Sequence, residues 1–243
     1  MTPTTPALPL DQAVAQALAA PPARLRPVKT SQGMVWIKQR ETLSLRWRLQ
    51  KGDPARAFEA ERAALHILSD ARLPVVPPLL DEGADYFVTA DSGQTISGLA
   101  AQGMDRRTKR RALSDAAEAL ATLHSAGFAH GRPALKDICW NGQQARLIDF
   151  ERFSPRRNSE GYMALDLLIF VLSSIATLGK SRKTLRRALA RYRETAPSGV
   201  WDRACKMARR LRFLVPLTAP IRRLKPGSRE FAALPAALAV FAD

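Results

Sequence analysis

The sequence predicts a mixed α+β fold, with strands concentrated before residue 95 and long helices after it. Alternating apolar and polar residues over 35–38 and 43–49 indicate strands, because successive side chains of a strand point to opposite faces. Apolar residues at helical spacing over 105–125 indicate a long helix that ends near Gly127. With 243 residues, 46% of them hydrophobic, the chain is long enough to bury one sizeable core or two smaller ones.

Three further elements are predicted in the first part of the chain. Residues 11–20 form a short helix with Asp11 as its N-cap, and two prolines end it. Asp53 as N-cap, with a proline directly after it, opens a helix over 54–69. Residues 86–91 have the apolar character of a strand.

The composition excludes several classes of protein. Neither collagen, a disordered chain nor a coiled coil has this mixture of residues. The two cysteines, Cys139 and Cys205, lack the spacing of a metal site or a disulfide framework, which is typical of a reducing cytosol. The first ten residues do not resemble a signal peptide, and the apolar run 167–175 is too short to span a membrane. We therefore expect a cytoplasmic protein, with peripheral contact to the inner face of the membrane as an open alternative.

Positive charge is concentrated towards the C-terminal end. The formal net charge is +16, and residues 180–230 contain sixteen Lys or Arg against three acidic residues, which accounts for +13 of it. This asymmetry favours an anionic partner, either a phosphorylated saccharide, a nucleic acid or an anionic lipid surface. Aromatic residues for base stacking are sparse in this segment, so single-stranded RNA is the weakest of these partners. A basic surface that only keeps the protein soluble is the alternative.

Two carboxylates flank a predicted hairpin. Asp137 lies just before, and Asp149 just after, two short apolar runs joined at Asn141 and Gly142. Asn-Gly between two such runs is a strong hairpin signal. Because a hairpin brings its ends together, the sequence predicts that Asp137 and Asp149 lie close enough to share one divalent cation. Carboxylate oxygens suit Mg²⁺, which also binds phosphates.

The residues around this hairpin resemble two segments of the protein-kinase-like phosphotransferases. Residues 130–137 read His-Gly-Arg-Pro-Ala-Leu-Lys-Asp, and residues 148–151 read Ile-Asp-Phe-Glu. They are similar to the family's catalytic loop, His-x-Asp-x-x-x-x-Asn, and to its metal-binding segment. The closest resemblance is to the bacterial lipopolysaccharide-core kinases, which include the Kdo kinases.

The resemblance covers about residues 35–175 and implies a two-lobed protein-kinase-like fold. A small, β-rich N-lobe would take residues 25–94, and a larger helical C-lobe with basic C-terminal helices would take residues 95–243. Residues 1–24 would be an N-terminal extension with a short helix. ATP and Mg²⁺ are the cofactors that the family implies.

The resemblance also implies roles for individual residues. Asp149 matches the metal-binding aspartate, and Asp137 stands where the family has its metal-binding asparagine. Arg132 replaces the catalytic aspartate, and it cannot act as a base because its guanidinium stays protonated. Asp91, at the start of the connector between the lobes, is a candidate for nucleotide binding, since the family's connector meets adenine through its backbone.

Two residues are candidates for supporting the site. In the family, an aspartate near the start of a C-lobe helix braces the backbone of the catalytic loop, and Asp166 fits that position. A simple helix N-cap is the competing role for Asp166. His130 is expected to pack beneath the loop, with action as a general base as its alternative.

One carboxylate lies on an otherwise apolar helix face. Glu61 follows Phe58 by three residues and precedes Leu65 by four, so the three share one face of the helix over 54–69. A carboxylate in an apolar setting needs a partner, and Lys38 on the preceding strand supplies one. The kinase-like family has such a pair, in which the lysine contacts the nucleotide phosphates. The alternative is that Glu61 lies at the edge of the stripe, in water.

These features predict a kinase that uses ATP and Mg²⁺ to phosphorylate an anionic acceptor, such as a lipopolysaccharide-core sugar or another phosphorylated saccharide, or a protein. Phosphoryl transfer depends mainly on positioning and charge stabilisation, so Arg132 is compatible with it if Glu151 or Asp137 orients the acceptor. A nucleotide-binding pseudokinase or scaffold is the second possibility. The third is a basic module that binds RNA or a membrane surface.

Overall fold

The computed structural model describes residues 8–40, 54–179, 181–224 and 227–242. It has the mixed α+β architecture that the sequence predicts. The chain divides into two compact units, of which the first is Met1–Arg72 with Val76–Asp91 and the second is Leu73–Val75 with Ser92–Asp243. The predicted strand over 43–49 and the predicted N-cap Asp53 lie outside the described residues.

The first unit is built on a four-stranded antiparallel sheet with the strand order β1-β2-β4-β3. In chain order its elements are α1 (Leu10–Leu18), β1 (Leu25–Thr30), β2 (Gly33–Gln39), α2 (Pro54–Asp70), β3 (Leu79–Glu82) and β4 (Tyr86–Ala90). Helix α1 packs its Val14 against Val35, Ile37 and Val88 of the sheet. The predicted strands over 35–38 and 86–91 and the predicted helix over 54–69 are therefore confirmed.

The predicted N-cap of α1 is wrong. The helix begins at Leu10, with Pro9 in the N-cap position, and Asp11 lies within the first turn. A carboxylate in the first turn still complements the positive end of the helix dipole, which explains why the sequence signal is only two residues out of place. The helix also ends earlier than predicted, at Leu18.

The second unit combines a small antiparallel sheet, in the order β5-β6-β7, with most of the helices. Its elements are β5 (Gln94–Thr95), α3 (Ile96–Ala101), α4 (Arg106–Ser125), β6 (Ile138–Trp140), β7 (Ala145–Leu147), α5 (Glu160–Leu178), α6 (Arg182–Thr195), α7 (Ser198–Leu211), α8 (Leu214–Leu217), α9 (Ala219–Leu224) and α10 (Arg229–Ala239). Asp105 caps α4 by accepting from the N–H groups of Arg107 and Thr108 at 2.7 and 2.9 Å. Gly127 follows the helix with φ 85°, so both predicted ends of α4 are confirmed.

Helix α5 is the central apolar helix of the second unit. By length and composition it is the one helix, among the described residues, that would also be able to cross a membrane. Half of the most apolar 18 residues of this helix are buried inside the protein. Two polar residues of the helix, Asp166 and Ser174, are buried as well. This burial is typical of the core helix of a soluble protein.

Candidate functional site

The two candidate metal-binding carboxylates lie at the open end of the β6–β7 hairpin. The strands pair in an antiparallel register that places Ile138 opposite Leu147. Beyond that pair, the N–H of Ile148 donates to the carbonyl oxygen of Asp137 at 2.9 Å. Asp149 follows directly, so the hairpin brings the backbones of Asp137 and Asp149 together, as the sequence predicts.

Asn141 builds the turn of this hairpin. Its Oδ1 accepts from the N–H groups of Gln143 and Gln144, both at 2.9 Å. Gly142 has φ 93°, which a residue without Cβ adopts at little steric cost. The connection therefore contains four residues between the strands, although Asn-Gly is also the preferred sequence of two-residue turns.

Asp149 itself has a left-handed backbone conformation, with φ 65° and ψ 55°. Aspartate is one of the few L-residues that enter this region readily. A 3₁₀ turn, Phe150–Arg152, follows immediately. The chain thus reverses sharply after β7, and Glu151 reaches the same nitrogen of Arg132 as Asp149 does.

The guanidinium of Arg132 lies among three carboxylates, Asp137, Asp149 and Glu151, which we call the acid cluster. Its Nη2 is 3.1 Å from Asp149 Oδ2 and 3.4 Å from Glu151 Oε1. Its Nε is 3.5 Å from Asp137 Oδ2. Lys136 Nζ contacts the other oxygen of Asp137 at 3.1 Å. Two cations therefore offset the mutual repulsion of the cluster.

Asp137 is the most perturbed carboxylate of the cluster. Burial is the largest influence on its pKa and raises it to about 6, against the opposing effects of Lys136 and Arg132. The negative charge of Asp149 acts in the same direction as burial. Asp137 Oδ2 is buried and forms no hydrogen bond with the described residues, since 3.5 Å from Arg132 Nε is too long for one. A buried carboxylate oxygen in this state suits a cation.

Asp166 braces the backbone of the candidate catalytic loop. Its Oδ2 accepts from the N–H of His130 at 2.6 Å, and its Oδ1 accepts from that of Gly131 at 3.0 Å. The helix begins six residues earlier, at Glu160, so the alternative of a simple N-cap is wrong. A side chain at Gly131 is disfavoured, because its φ is 97° and a Cβ would lie 2.7 Å from the carbonyl oxygen of Arg152.

Both ring nitrogens of His130 are engaged within the protein. Nε2 lies 3.0 Å from the carbonyl oxygen of Ile148, so it must donate, and Nδ1 accepts from the N–H of Arg132 at 3.3 Å. The ring also packs on Phe150, with 4.5 Å between centroids. Burial lowers the pKa of His130, which favours the neutral ring. These contacts fit structural support and oppose the alternative of a general base.

In the first unit, Lys38 and Glu61 form an ion pair, as predicted. Lys38 projects from β2 and Glu61 from α2, where it is buried on the same face as Phe58 and Leu65. The side chains of the pair are only 16% and 8% exposed. The alternative of a solvated Glu61 is therefore wrong, and the pair fixes the position of the Lys38 ammonium.

Asp91 ends the first unit, directly after β4. Its Oδ1 accepts from Trp36 Nε1 at 2.7 Å, and its N–H donates to the carbonyl oxygen of Met34 at 3.2 Å. These bonds hold the end of β4 against β2. The structure therefore gives Asp91 an anchoring contact, and its predicted part in nucleotide binding stays a prediction.

Sequence reasoning did not single out Lys136, and it did not foresee that Arg132 contacts the whole acid cluster. Lys136 is adjacent to Asp137 in the sequence, but neighbours in a loop need not face each other. The contact of Arg132 with Glu151 depends on the left-handed conformation of Asp149, which single-sequence patterns do not specify. The sequence signal for this contact was only that Arg132 and three carboxylates occur within residues 132–151.

The donor set of the acid cluster fits a hard divalent cation. Within the described ranges, no group of three or more His, Cys, Asp or Glu side chains is arranged as a metal site. Mg²⁺ commonly takes only one or two carboxylates from a protein and completes its coordination with phosphate and water. The oxygens of Asp137 and Asp149, both facing the guanidinium of Arg132, meet that smaller requirement.

Comparison with known proteins does not assign the chain to a family. No protein-family model matches the chain. An uncharacterized protein of Haemophilus influenzae is 28% identical to it over 200 residues, which is 82% of this chain and 82% of the relative. The similarity thus spans most of both chains and includes both of the units described above.

Proposed function

We propose that this protein is a kinase-like phosphotransferase that binds ATP with Mg²⁺ and transfers the γ-phosphoryl group to a hydroxyl group of an anionic acceptor. The observation that carries the proposal is the arrangement of Asp137 and Asp149. Both lie at the open end of one hairpin, and both contact the guanidinium of Arg132. The bracing of the adjacent loop by Asp166 supports it further, because a metal site needs rigid ligands. A lipopolysaccharide-core sugar, another phosphorylated saccharide and a protein are the proposed acceptors.

In this proposal Lys38 contacts the phosphates of ATP. Its ion pair with buried Glu61 limits the rotamers of the lysine, so less conformational entropy is lost when a phosphate binds. The backbone next to Asp91 is the proposed site of contact with adenine. Both assignments follow from the resemblance to kinases and from the position of Lys38 on the inner strand β2 and of Asp91 directly after the inner strand β4.

Asp137 and Asp149 are the proposed ligands of Mg²⁺. When bound, the ion draws charge from the phosphate oxygens and so favours departure of the nucleoside diphosphate. Asp137 Oδ2, buried and without a hydrogen bond among the described residues, is the atom best suited to the ion. To make room, the guanidinium of Arg132 would need to move away from one or both carboxylates.

Arg132 then acts on the transferred phosphoryl group. Phosphoryl transfer passes through a loose transition state whose charge is spread over the equatorial oxygens, and a permanent cation stabilises that charge. Glu151, 3.4 Å from Arg132, is the proposed acceptor of the hydroxyl proton. The bond from phosphorus to the bridging oxygen of ADP breaks, the bond to the acceptor oxygen forms, and the proton passes to Glu151.

A nucleotide-binding pseudokinase is the second candidate, and one observation favours it. Arg132 stands where kinases have the catalytic aspartate, and it contacts all three carboxylates of the acid cluster. An arginine so placed has the geometry of an internal replacement for a metal ion. In that case the protein would bind a nucleotide weakly or without Mg²⁺ and would act as a scaffold.

Turnover of ATP labelled at the γ-phosphate distinguishes these candidates. A kinase predicts label transfer or release by the wild type, near-background rates for Asp149→Ala, and a large loss for Arg132→Ala at little change in ATP affinity. A pseudokinase predicts background rates for the wild type and a gain for Arg132→Asp. Equal rates for the wild type and Asp149→Ala would remove the enzymatic proposal, because a contaminant would explain both.

A further inference from the structure

The end of α7 and the residues after it form a strongly basic stretch. Between residues 204 and 229 the sequence has eight Lys or Arg and no Asp or Glu. Four of these cations lie on α7 or directly after it with exposed side chains: Lys206, Arg209, Arg210 and Arg212. The stretch therefore carries a charge of +8, which is half of the formal net charge of the chain.

The same stretch exposes large apolar side chains. Phe213, Leu217 and Leu224 are 58%, 63% and 82% exposed. A single exposed apolar residue is ordinary on a protein surface. Three of them within a dozen residues, next to a block of cations, are typical of a surface that binds something both apolar and anionic. We call residues 206–224 the basic–apolar segment.

We propose that the basic–apolar segment docks this protein on an anionic lipid bilayer. Its cations complement the negative headgroups, and Phe213, Leu217 and Leu224 enter the boundary between headgroups and acyl chains. The short helices α8 and α9 carry the two leucines, and local hydrogen bonds such as that from the N–H of Thr218 to the carbonyl oxygen of Leu214, at 2.9 Å, satisfy part of the backbone there. This docking does not depend on nucleotide binding.

RNA is a poorer occupant, because two of the three aromatic side chains of residues 180–230 are engaged elsewhere, which leaves Phe213 to stack on a base. Tyr192 is fully buried, and its hydroxyl lies 2.6 Å from His124 Nδ1. Trp201 packs on Phe241 and is covered by the guanidinium of Arg193, 4.6 Å from its ring. Single-stranded nucleic acid is normally bound by aromatic platforms, and exposed leucines add nothing to its recognition.

The test is co-sedimentation of the full chain with vesicles. Vesicles of phosphatidylcholine alone are compared with vesicles in which about a quarter of the lipid is phosphatidylglycerol. We expect binding to the anionic vesicles, little binding to the neutral ones, and weaker binding as salt rises from about 0.1 M to 0.5 M. A wild type that fails to sediment with anionic vesicles at the lower salt concentration overturns the proposal.

Two triple variants locate the docking segment. Replacing Arg209, Arg210 and Arg212 by Gln is expected to weaken binding about a hundredfold, since each cation at an anionic surface is worth about a factor of five. The matched control replaces Arg106, Arg107 and Arg110 of α4 by Gln, which removes the same charge from another exposed place. Equal losses in the two variants would show attraction by net charge alone and would overturn the assignment.

The contribution of the three exposed apolar side chains is measured separately from that of the arginines. Replacing Phe213, Leu217 and Leu224 by Gln is expected to reduce binding at least tenfold, and most clearly at high salt, whereas Leu25→Gln with Leu80→Gln in the first unit leaves it unchanged. In a separate variant, Leu217→Cys carries a fluorophore that reports a dry environment; both native cysteines are buried.

Two outcomes of these measurements contradict the proposal. The first is sedimentation with vesicles while the emission of the label at position 217 does not change, because a different surface would then be bound. The second is binding of a single-stranded RNA oligonucleotide that is lost with the three arginines, together with absent vesicle binding, which would assign the segment to nucleic acid. An emission shift to the blue with anionic vesicles alone supports docking through this segment.

Discussion

Arg132 Nη2 lies 3.1 Å from Asp149 Oδ2, so a permanent cation contacts one of the two proposed ligands of Mg²⁺. The same guanidinium contacts Asp137 and Glu151. In this way one arginine stabilises three carboxylates that would otherwise repel one another. A divalent cation that binds the same oxygens must therefore displace the guanidinium of Arg132 from them.

The first prediction follows from that competition. Arg132→Met should lower the free energy of unfolding by about 1–3 kcal/mol, because it removes a cation that contacts three carboxylates. Millimolar MgCl2 should restore much of this loss and should stabilise the variant more than the wild type. Denaturant unfolding with and without Mg²⁺, at equal ionic strength, measures both effects.

Arg191→Met is the matched control for this prediction. Arg191 also lies between two carboxylates, Glu118 and Glu194, but all three are exposed. We expect a change below about 1 kcal/mol and no specific response to Mg²⁺. A wild type and an Arg132→Met variant with the same Mg²⁺ response would show that the acid cluster does not bind the ion.

The second prediction concerns Lys38 and Glu61. Lys38→Ala should destabilise the protein by roughly 3 kcal/mol or more, because it leaves Glu61 buried without its cation, and the double variant with Glu61→Ala should be less unstable than the sum of the single variants. Urea unfolding of the complete double-mutant cycle measures the coupling. The partly exposed pair of Glu59 and Arg62 on the same helix is the control, with expected coupling below about 0.5 kcal/mol. Strict additivity at Lys38 and Glu61 would contradict the account.

The third prediction concerns Asp166. Asp166→Ala removes the acceptor of two backbone N–H groups and should lower the free energy of unfolding by about 2–4 kcal/mol. Because the loop that Asp166 braces leads to Arg132 and Asp137, the variant should also bind ATP with Mg²⁺ less tightly. Asp202→Ala, at an exposed position of α7, should change neither quantity measurably. Normal ATP affinity in a folded Asp166→Ala variant would argue against the bracing role.

The fourth prediction is a pH dependence of stability. Burial holds the pKa of His130 below its ordinary value, so the unfolded chain binds a proton more readily at this position than the folded protein does. The contribution of neutral His130 is fully present above about pH 6.5 and is lost as the pH falls through the slightly acidic range. The free energy of unfolding, measured between pH 7.5 and about 5, should decline less steeply in His130→Gln than in the wild type. Identical slopes in the two proteins would contradict this prediction.

Several parts of the fold and of the site were predictable because their signals are local. Asp105 and Gly127 mark the ends of α4, and Asn141 with Gly142 marks the hairpin, since caps and turns depend on a few adjacent residues. The pairing of Lys38 with Glu61 also followed from one carboxylate on an apolar helix face. Such signals specify which residues must find partners.

Other parts were not predictable, because they depend on tertiary geometry. The contact of Arg132 with all three carboxylates requires the left-handed backbone of Asp149 and the 3₁₀ turn after it. The engagement of both nitrogens of His130 depends on backbone groups that the pattern of residue types does not place. The misplaced N-cap of α1 shows the same limit on a smaller scale, since Pro9 and Asp11 are both compatible with a helix start.

The most direct test of the central claim, a kinase-like nucleotide site that depends on Asp149, is a thermal unfolding measurement with ATP and Mg²⁺. At a hundredfold excess over its dissociation constant, ATP with Mg²⁺ should stabilise the wild type by about 2.7 kcal/mol, which raises the Tm of a chain of this size by roughly 5–10 °C. Asp149→Asn, which keeps a side chain that tolerates the left-handed conformation, should lose most of this shift, and Asp202→Asn should keep it. An unchanged wild-type Tm across millimolar ATP and Mg²⁺ would contradict the account.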